Sequence, residues 1–281
     1  AGMPRGLVPL ALMMFGLGLS LTTQDFARLK AHPKAVLVGL SLQVVLLPVA
    51  CYGVIVAFDL SPVYAVGLML LAASPGGISA NLFSYLFGGN LAMNISLTAV
   101  NNVLSIVTLP LIANWAIDHF AKTGQVVPLQ MSKVIEVITM ILIPVAIGMV
   151  TRVAAPGFAA RMGKPMKVFS AALLLALVVL TMVREWSALQ QYFTHLGPAV
   201  VLFNLISLFA GYGLSRASGL DKSLATAISF EIGIHNAALS MYIALKVLDN
   251  SPVALPSAIY SASMLITATL FGFWLSRRAV R

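Results

Sequence analysis

Long apolar runs, separated by short polar segments, dominate the chain from end to end. A bilayer core about 30 Å thick is crossed by roughly 20 apolar residues of α-helix. On this basis the pattern predicts nine membrane-spanning helices, at residues 6–22, 35–58, 62–87, 91–117, 131–153, 166–184, 197–216, 222–246 and 253–276. We therefore predict an all-α polytopic membrane protein in which residues 1–281 form a single transmembrane domain.

Composition supports a lipid environment and argues against several other classes of protein. Of the 281 residues, 60% are hydrophobic and 9% are charged, whereas a soluble domain carries about 25% charged residues. The single cysteine, Cys51, excludes an internal disulfide framework and a cysteine metal cluster. We find no P-loop and no nucleophile–base arrangement, so we expect neither an enzyme nor an ATP-driven pump, and no organic cofactor.

Basic residues are distributed unevenly between the two sides of the predicted membrane. With nine spans, 12 of the 17 lysines and arginines lie on the side that holds the C-terminus. The positive-inside rule assigns that side to the cytoplasm, so we predict a multi-pass protein of the cell (inner) membrane with a cytoplasmic C-terminus. This asymmetry accounts for the net charge of +9 and argues against a nucleic-acid partner.

The two halves of the chain share an order of features that indicates an internal duplication. Residues 42–90 and 203–250 each begin near an amide side chain, pass through a short turn with an aspartate, and contain a long helix with a glycine-containing polar patch. The amides are Gln43 and Asn204, and the patches end at Asn81 and Asn236. We predict inverted repeats, repeat one at 1–120 and repeat two at 130–281. We also expect that a helix before residue 1 is absent, lost either in evolution or by trimming.

Two of the predicted spans contain signals for a helix break near mid-membrane. The third span contains Pro75-Gly76-Gly77, which lacks one amide donor and has a freer backbone. The eighth contains Gly233 among polar residues. Carbonyls freed at the end of one half-helix suit a cation, and amides freed at the start of the next suit an anion. We therefore expect residues 75–81 and 231–236 to be non-helical or distorted and adjacent in space.

Glu231 is the one acidic residue predicted at the centre of a span. A charge at that depth costs about 3 kcal/mol or more, so such a residue is a candidate for function. The alternative is a protonated glutamate that makes one hydrogen bond between helices.

A polar stripe in the fourth span is formed by Asn94, Thr98, Asn101 and Ser105, whose spacing places them on one helical face. They either link helices by hydrogen bonds or supply oxygen ligands to a hard cation. If the third and eighth spans cross beside the fourth, a cation site would form from Asn81, Asn94, Thr98 and Glu231.

Gln43 and His235 are isolated polar residues within predicted spans. Gln43 is either a ligand or a link to a neighbouring backbone. His235 is either a proton relay, since imidazole titrates near neutral pH, or a histidine satisfied within the core.

These motifs resemble the sodium/bile acid symporter family over essentially the whole chain, apart from a first helix present in ten-helix members. The resemblance rests on SPGGISAN (Ser74–Asn81), YLFGGNLAMNISLT (Tyr85–Thr98) and EIGIHNAAL (Glu231–Leu239), supported by Phe15–Leu21 and Leu42–Pro48. It implies two crossed discontinuous helices, a core domain of spans 2, 3, 4, 7, 8 and 9, a panel domain of spans 1, 5 and 6, and a substrate cavity between the two domains.

The resemblance also implies ligand sets. A first sodium site would use Asn81, Asn94, Thr98 and Glu231. A second sodium site would use Gln43, Glu231, Ile232, Ile234 and His235. The substrate would meet Ile78 and Asn236. The chain departs from the family pattern at Ala80 and Asn94, where serines are usual, at His235, where the family has glutamine, and at Met264 and Leu265, where some members have a His-Asn pair.

The sequence thus favours sodium-coupled symport of an organic anion, bile-acid-like or a smaller carboxylate, by alternating access. Its partners would be sodium as coupling ion, the anion and the lipid bilayer. A proton-coupled or uncoupled anion carrier is the alternative that His235 motivates. A membrane receptor or scaffold that transports nothing is a third hypothesis, which the polar residues at mid-membrane argue against.

Overall fold

The structure is a computed structural model that describes residues 8–22, 24, 27, 29–121 and 131–277. Within these ranges the chain is helical and contains no β-strand. Of the basic residues used to predict topology, five lie outside the described ranges: Arg5, Arg28, Lys122, Arg278 and Arg281.

The main helices are labelled α1 to α11 in chain order. They span Val8–Ser20 (α1), Pro33–Ala57 (α2), Pro62–Ala73 (α3), Ile78–Leu86 (α4), Leu91–Phe120 (α5), Met131–Ala154 (α6), Pro156–Arg184 (α7), Trp186–Ala217 (α8), Lys222–Gly233 (α9), Ala237–Val247 (α10) and Ser251–Arg277 (α11). A π-helical turn occurs inside α2 at Leu42–Leu46, and another ends α10 at Ile243–Val247.

Each of the nine predicted spans contains helix in its described residues, and the third and eighth spans are each divided in two. Among the described residues, four helical segments are long and apolar enough to cross a membrane: α2, α5, residues Phe193–Ala217 of α8, and α11. Shorter apolar helical segments lie in the first, third, fifth and eighth predicted spans. The apolar pattern therefore predicted the positions of the helices.

Two predicted helix boundaries were wrong. The helix of the sixth predicted span begins at Pro156 rather than at residue 166, and that of the seventh begins at Trp186 rather than at residue 197. Pro156 lies in the first turn of α7, where backbone N–H groups make no hydrogen bond within the helix, so the lack of an N–H group costs nothing there. Pro165 lies inside α7, and interior prolines are tolerated in membrane helices because neighbouring groups satisfy the freed backbone.

The two helix breaks lie against each other. The first break, residues 74–77, separates α3 from α4, and the second, residues 234–236, separates α9 from α10. They pair as an isolated antiparallel bridge between Gly76 and His235. Its backbone hydrogen bonds run from Gly77 N to Ile234 O (2.6 Å) and from Asn236 N to Pro75 O (2.8 Å). This pairing satisfies backbone groups that a break would otherwise leave unpaired in an apolar interior.

Two adjacent breaks were predicted, and this expectation is confirmed, but they are shorter than the predicted 75–81 and 231–236. Asn81 lies inside α4 and Glu231 inside α9. Because the two backbones pair with each other at the breaks, only a few residues in each segment are non-helical.

The broken helices pack into one group with α5 and α11. Helix α9 packs against α4 and α5, whereas α3 packs against α5 and α11. A second group consists of α1, α6 and α7, which contact one another. Here α1 and α6 approach closely, since a β-carbon added to Gly148 would collide with the carbonyl oxygen of Phe15. Small residues of this kind allow membrane helices to touch along their backbones.

Candidate functional site

The carboxylate of Glu231 is fully buried and is held by two side chains of α5. Thr98 Oγ1 donates to Glu231 Oε2 at 2.5 Å, and Asn101 Nδ2 donates to Oε1 at 3.0 Å. Both carboxylate oxygens therefore face α5. Neither donor carries a positive charge, so no basic side chain takes part in these two bonds.

Helices α5 and α9 run side by side in the same direction, and a series of contacts fixes their register. Asn90 N donates to Ser223 O at 3.0 Å. One turn further along, Asn94 Nδ2 donates to Ala227 O at 2.7 Å. The next turn brings Thr98 to Glu231. The i, i+4 spacing of Asn94 and Thr98 thus matches the i, i+4 spacing on α9, which is why these side chains meet as a row.

Three amide oxygens in this region are buried and have no hydrogen-bond partner among the described residues: Asn81 Oδ1, Asn94 Oδ1 and Asn101 Oδ1. Asn81 belongs to α4, which packs against both α5 and α9. Buried polar atoms nearly always have a partner, and these oxygens lie on α4 and α5, the helices that pack against α9. Amide oxygens, a hydroxyl and a carboxylate are the donors that a hard cation prefers.

The structure joins Asn94, Thr98 and Glu231 by direct packing of α5 on α9 and places Asn81 on the adjoining helix. The assignment of these four residues as sodium ligands stays a prediction. Among the described residues there is no group of three or more His, Cys, Asp or Glu side chains. The oxygen-rich donor set is accordingly unlike that of a zinc or copper site.

Gly76 closes the site from the side of the first break, a role that the sequence analysis missed. A β-carbon added to Gly76 would collide with the carboxylate of Glu231. The Pro-Gly-Gly motif was interpreted as a source of backbone freedom alone. In the structure, Gly76 also lets the backbone approach the Glu231 side chain so closely that a larger residue would force one of them to move.

Asn101 is a second contact that the sequence analysis did not assign to the site. It belongs to the predicted polar stripe, and its Nδ2 group donates directly to Glu231. Ser105, the last member of the stripe, instead donates to Asn102 O at 2.8 Å within its own helix. The helical spacing predicts the stripe, but it does not predict which of its members contact α9.

The residues of the second predicted cation site gather at the first break. Gln43 Nε2 donates to Ser74 O at 3.0 Å and to Ala72 O at 3.3 Å. His235 Nδ1 lies 3.2 Å from the same Ser74 O, and because a carbonyl oxygen only accepts, Nδ1 carries the proton. Ile234 O accepts from Gly77 N, and Ile232 is buried in the last turn of α9. Whether these residues bind a cation stays a prediction.

The predicted substrate residues lie at the starts of α4 and α10. Asn236 is the N-cap of α10, where its Oδ1 accepts from Leu239 N at 3.1 Å. The Nδ2 group of Asn236, a donor, is then the part of the side chain that suits an anion. Ile78 is the first residue of α4, and its side chain lies outside the described part of the structure.

A further polar group surrounds the carbonyl of Gly233, at the end of α9. Asn204 Nδ2 donates to Gly233 O at 2.7 Å, and the Tyr260 hydroxyl donates to the same oxygen at 2.8 Å. Thr267 Oγ1 in turn donates to Asn204 Oδ1. The sequence analysis matched Asn204 to Gln43 but missed Tyr260. The only available signal was that a buried tyrosine hydroxyl needs a partner.

Comparisons with known proteins give a consistent set of relatives. The sequence profile of the Sodium Bile acid symporter family matches residues 7–191. A rice (Oryza sativa subsp. japonica) protein named probable sodium/metabolite cotransporter BASS2, chloroplastic, is 28% identical over 96% of this chain and 64% of its own length. The chain therefore spans less than two thirds of that relative.

Two further relatives come from a bacterium and an animal. YocS of Bacillus subtilis (strain 168), named an uncharacterized sodium-dependent transporter, is 27% identical over 96% of this chain and 82% of its own length. The ileal sodium/bile acid cotransporter of Homo sapiens is 25% identical over 95% of this chain and 77% of its own length.

Proposed function

This chain belongs to the sodium bile acid symporter family, and we propose that it is a secondary active transporter that couples sodium entry to symport of an organic anion. The anion would be bile-acid-like or a smaller carboxylate. The protein would lie in the cell (inner) membrane with its C-terminus in the cytoplasm. Relatives named as sodium/metabolite and sodium/bile acid cotransporters support this proposal. The helices in the described part of the chain that are long and apolar enough to cross a membrane also support it.

The buried carboxylate of Glu231 carries the proposal. Its two hydrogen-bond donors are uncharged, and two buried amide oxygens, Asn81 Oδ1 and Asn94 Oδ1, have no partner among the described residues. Hard cations prefer oxygen ligands. A sodium ion bound to Asn81, Asn94, Thr98 and Glu231 would be coordinated by these oxygens. The ion would also link α4, α5 and α9, and so would stabilise the crossing of the two broken helices.

We further propose that the chain consists of two inverted repeats, 1–120 and 130–281. Positive φ angles support this, because they recur with a spacing of about 160 residues. The pairs are Asp59 (47°) with Gly219 (77°), and Gly88 (74°) with Asp249 (48°). The roles of Gln43 and Asn204 also correspond, since each amide donates to a carbonyl at or beside the end of a broken helix.

Alternating access would result from movement between two groups of helices, α2–α5 with α8–α11 as core and α1, α6 and α7 as panel. Where the two groups meet, Leu21 and side chains of α5 and α6 line a partly open cavity of about 30 Å³, with Asn102 as its polar residue. Ligand sites for small molecules measure about 300–1,000 Å³. An organic anion could therefore enter there only if the groups move apart. The anion would then contact amide groups near Ile78–Asn81 and at Asn236.

Sodium-dependent stabilisation of purified protein tests the proposal. We expect sodium chloride, but not potassium chloride at equal ionic strength, to raise the melting temperature, because a ligand at 100 times its Kd stabilises by about 2.7 kcal/mol. Glu231→Gln should abolish this shift. Thr98→Val, which removes a hydroxyl with little change in size, should move it to higher sodium concentration. Glu185→Gln, a change at the end of α7, is the matched control and should behave as wild type.

In proteoliposomes tested with a panel of organic anions, Glu231→Gln should lose sodium-driven uptake, Thr98→Val should need more sodium for it, and Glu185→Gln should keep it. If Glu231→Gln keeps the wild-type sodium dependence, the cation site is misassigned and the proposal fails.

A proton-coupled carrier remains the second candidate, on one observation. His235 Nε2 is buried and has no partner among the described residues, so this nitrogen is available to accept a proton. Uptake driven by a proton gradient in sodium-free buffer, and lost in His235→Gln, would favour this candidate over sodium coupling.

A further inference from the structure

We infer that this protein binds one sodium ion per transport cycle, beside Glu231, and that the second site implied by its family resemblance holds no sodium. The inference rests on the proposed sodium coupling, because it concerns how many ions that coupling uses. It follows from a comparison of the oxygen donors that the two sites can offer.

At the second site, the carbonyl of Ser74 is already fully used. Gln43 Nε2 donates to it at 3.0 Å and His235 Nδ1 donates at 3.2 Å. A carbonyl oxygen has two lone pairs, and here both face an N–H group. A cation that approached this oxygen would meet the positive ends of two N–H dipoles.

Two of the expected ligands of the second site, Ile234 and Glu231, are also engaged in other contacts. Ile234 O accepts from Gly77 N at 2.6 Å, as part of the bridge between the two breaks. Both oxygens of Glu231 are bonded to side chains of α5, which belong to the first site. A second sodium ion would therefore have to share Ile234 O with the bridge and Glu231 with the first site.

The side-chain acceptors that remain at the second site are one oxygen and one nitrogen. Gln43 Oε1 and His235 Nε2 are buried and have no partner among the described residues. Sodium, like other hard cations, prefers oxygen ligands, and imidazole nitrogen suits softer metals. At the first site, by contrast, the amide oxygens without a partner include Asn81 Oδ1 and Asn94 Oδ1, beside a hydroxyl and a carboxylate.

His235 is the residue that makes the second site less suitable for sodium than the first. Its N–H group occupies the Ser74 carbonyl, and its other ring atom presents nitrogen where an amide side chain would present oxygen. The ring is fixed in this position, since it stacks on Phe203 with centroids 5.7 Å apart and an interplanar angle of 11°. A glutamine at this position could donate to Ser74 O and still offer an oxygen to a cation.

Direct measurement of sodium binding tests the inference without knowledge of the anion. Purified wild-type protein should bind about one radioactive sodium ion per chain in equilibrium dialysis, with a Hill coefficient of about one, since that coefficient is limited by the number of sites. His235→Gln should raise the stoichiometry and the Hill coefficient toward two. His195→Gln, at an exposed position in α8, is the matched control and should leave both at the wild-type value.

The outcomes separate this inference from the proposed function. About two ions per wild-type chain would overturn the inference and leave sodium coupling intact. One ion in the wild type but no increase in a folded His235→Gln variant would overturn the role given to His235. No saturable sodium binding, or binding that survives Glu231→Gln unchanged, would instead contradict the proposed function. The wild-type stoichiometry decides the main point even if His235→Gln fails to fold.

Discussion

The two helix breaks are similar in position but are supported by different parts of the chain. At the first break, the Ser74 carbonyl is held by Gln43, from the first half of the sequence, and by His235, from the second half. At the second break, the Gly233 carbonyl is held by Asn204 and Tyr260, both from the second half. The side chains that hold the Ser74 carbonyl therefore come from both halves, whereas those that hold the Gly233 carbonyl come from one half, although the two breaks also pair through their backbones.

This difference indicates which break responds to a bound ion. The first break contacts Glu231 through Gly76, so a change in the position of the carboxylate must affect it. The Gly233 carbonyl is held by α8 and α11, which take no part in the proposed cation site. We therefore expect the first break to be coupled to sodium and the polar group at the second break to serve mainly stability.

The largest effect should follow from a β-carbon at the first break. Gly76→Ala would force the Glu231 carboxylate or the backbone to move, because the added carbon collides with the carboxylate. Overpacking in a well-packed interior costs about 1–3 kcal/mol, and we expect sodium-dependent stabilisation to be lost as well. Melting temperatures in sodium and potassium chloride measure both effects.

Gly53→Ala provides the control for this change, since its added carbon meets no atom within 4 Å. It should leave sodium-dependent stabilisation at the wild-type value. A Gly76→Ala variant with normal sodium affinity would show that the first break and the carboxylate are not coupled.

A smaller effect is expected from Asn101→Ala, which removes one of the two donors to Glu231. A hydrogen bond to a charged group contributes about 1.5–3 kcal/mol, and each 1.4 kcal/mol corresponds to about a tenfold change in affinity. Without this bond the carboxylate is less firmly positioned, so the sodium Kd should rise roughly tenfold or more. Titration of sodium binding measures it.

Ser105→Ala removes a hydroxyl from the same stripe that bonds only within α5 in the contacts described. Its sodium Kd should match that of the wild type. Equal Kd values for Asn101→Ala and Ser105→Ala would contradict the positioning role of Asn101.

The sequence predicted the helices well because the thickness of the bilayer fixes their length and apolar character. It also located the first break, since Pro75, Gly76 and Gly77 disfavour a continuous helix through local chemistry alone. Proline alone does not predict a break, since Pro165 and Pro198 lie inside α7 and α8. Packing inside a membrane protein can satisfy the freed backbone.

The candidate site was predicted in part because polar side chains at mid-membrane are few. Their pairing was not predictable, since the contact of Thr98 with Glu231 depends on the register of two helices far apart in the sequence. Asn94, Thr98 and Asn101 occupy one face of α5, yet only the axial position of α9 determines which of them meets the carboxylate. Tyr260 was missed because one hydroxyl in an apolar span gives no indication of its partner.

The smallest of these effects should come from Tyr260→Phe at the second break. The change removes the hydroxyl that donates to Gly233 O at 2.8 Å, while Asn204 Nδ2 still donates to the same oxygen at 2.7 Å. Because the carbonyl keeps one partner and the ring still fills its buried position, we expect a loss of about 1 kcal/mol in the free energy of unfolding. The sodium Kd should not change, since neither donor belongs to the cation site. Chemical unfolding and sodium titration of the same sample separate the two quantities. A rise in sodium Kd as large as that of Asn101→Ala would show that both breaks respond to the ion, and the asymmetry between them would then be wrong.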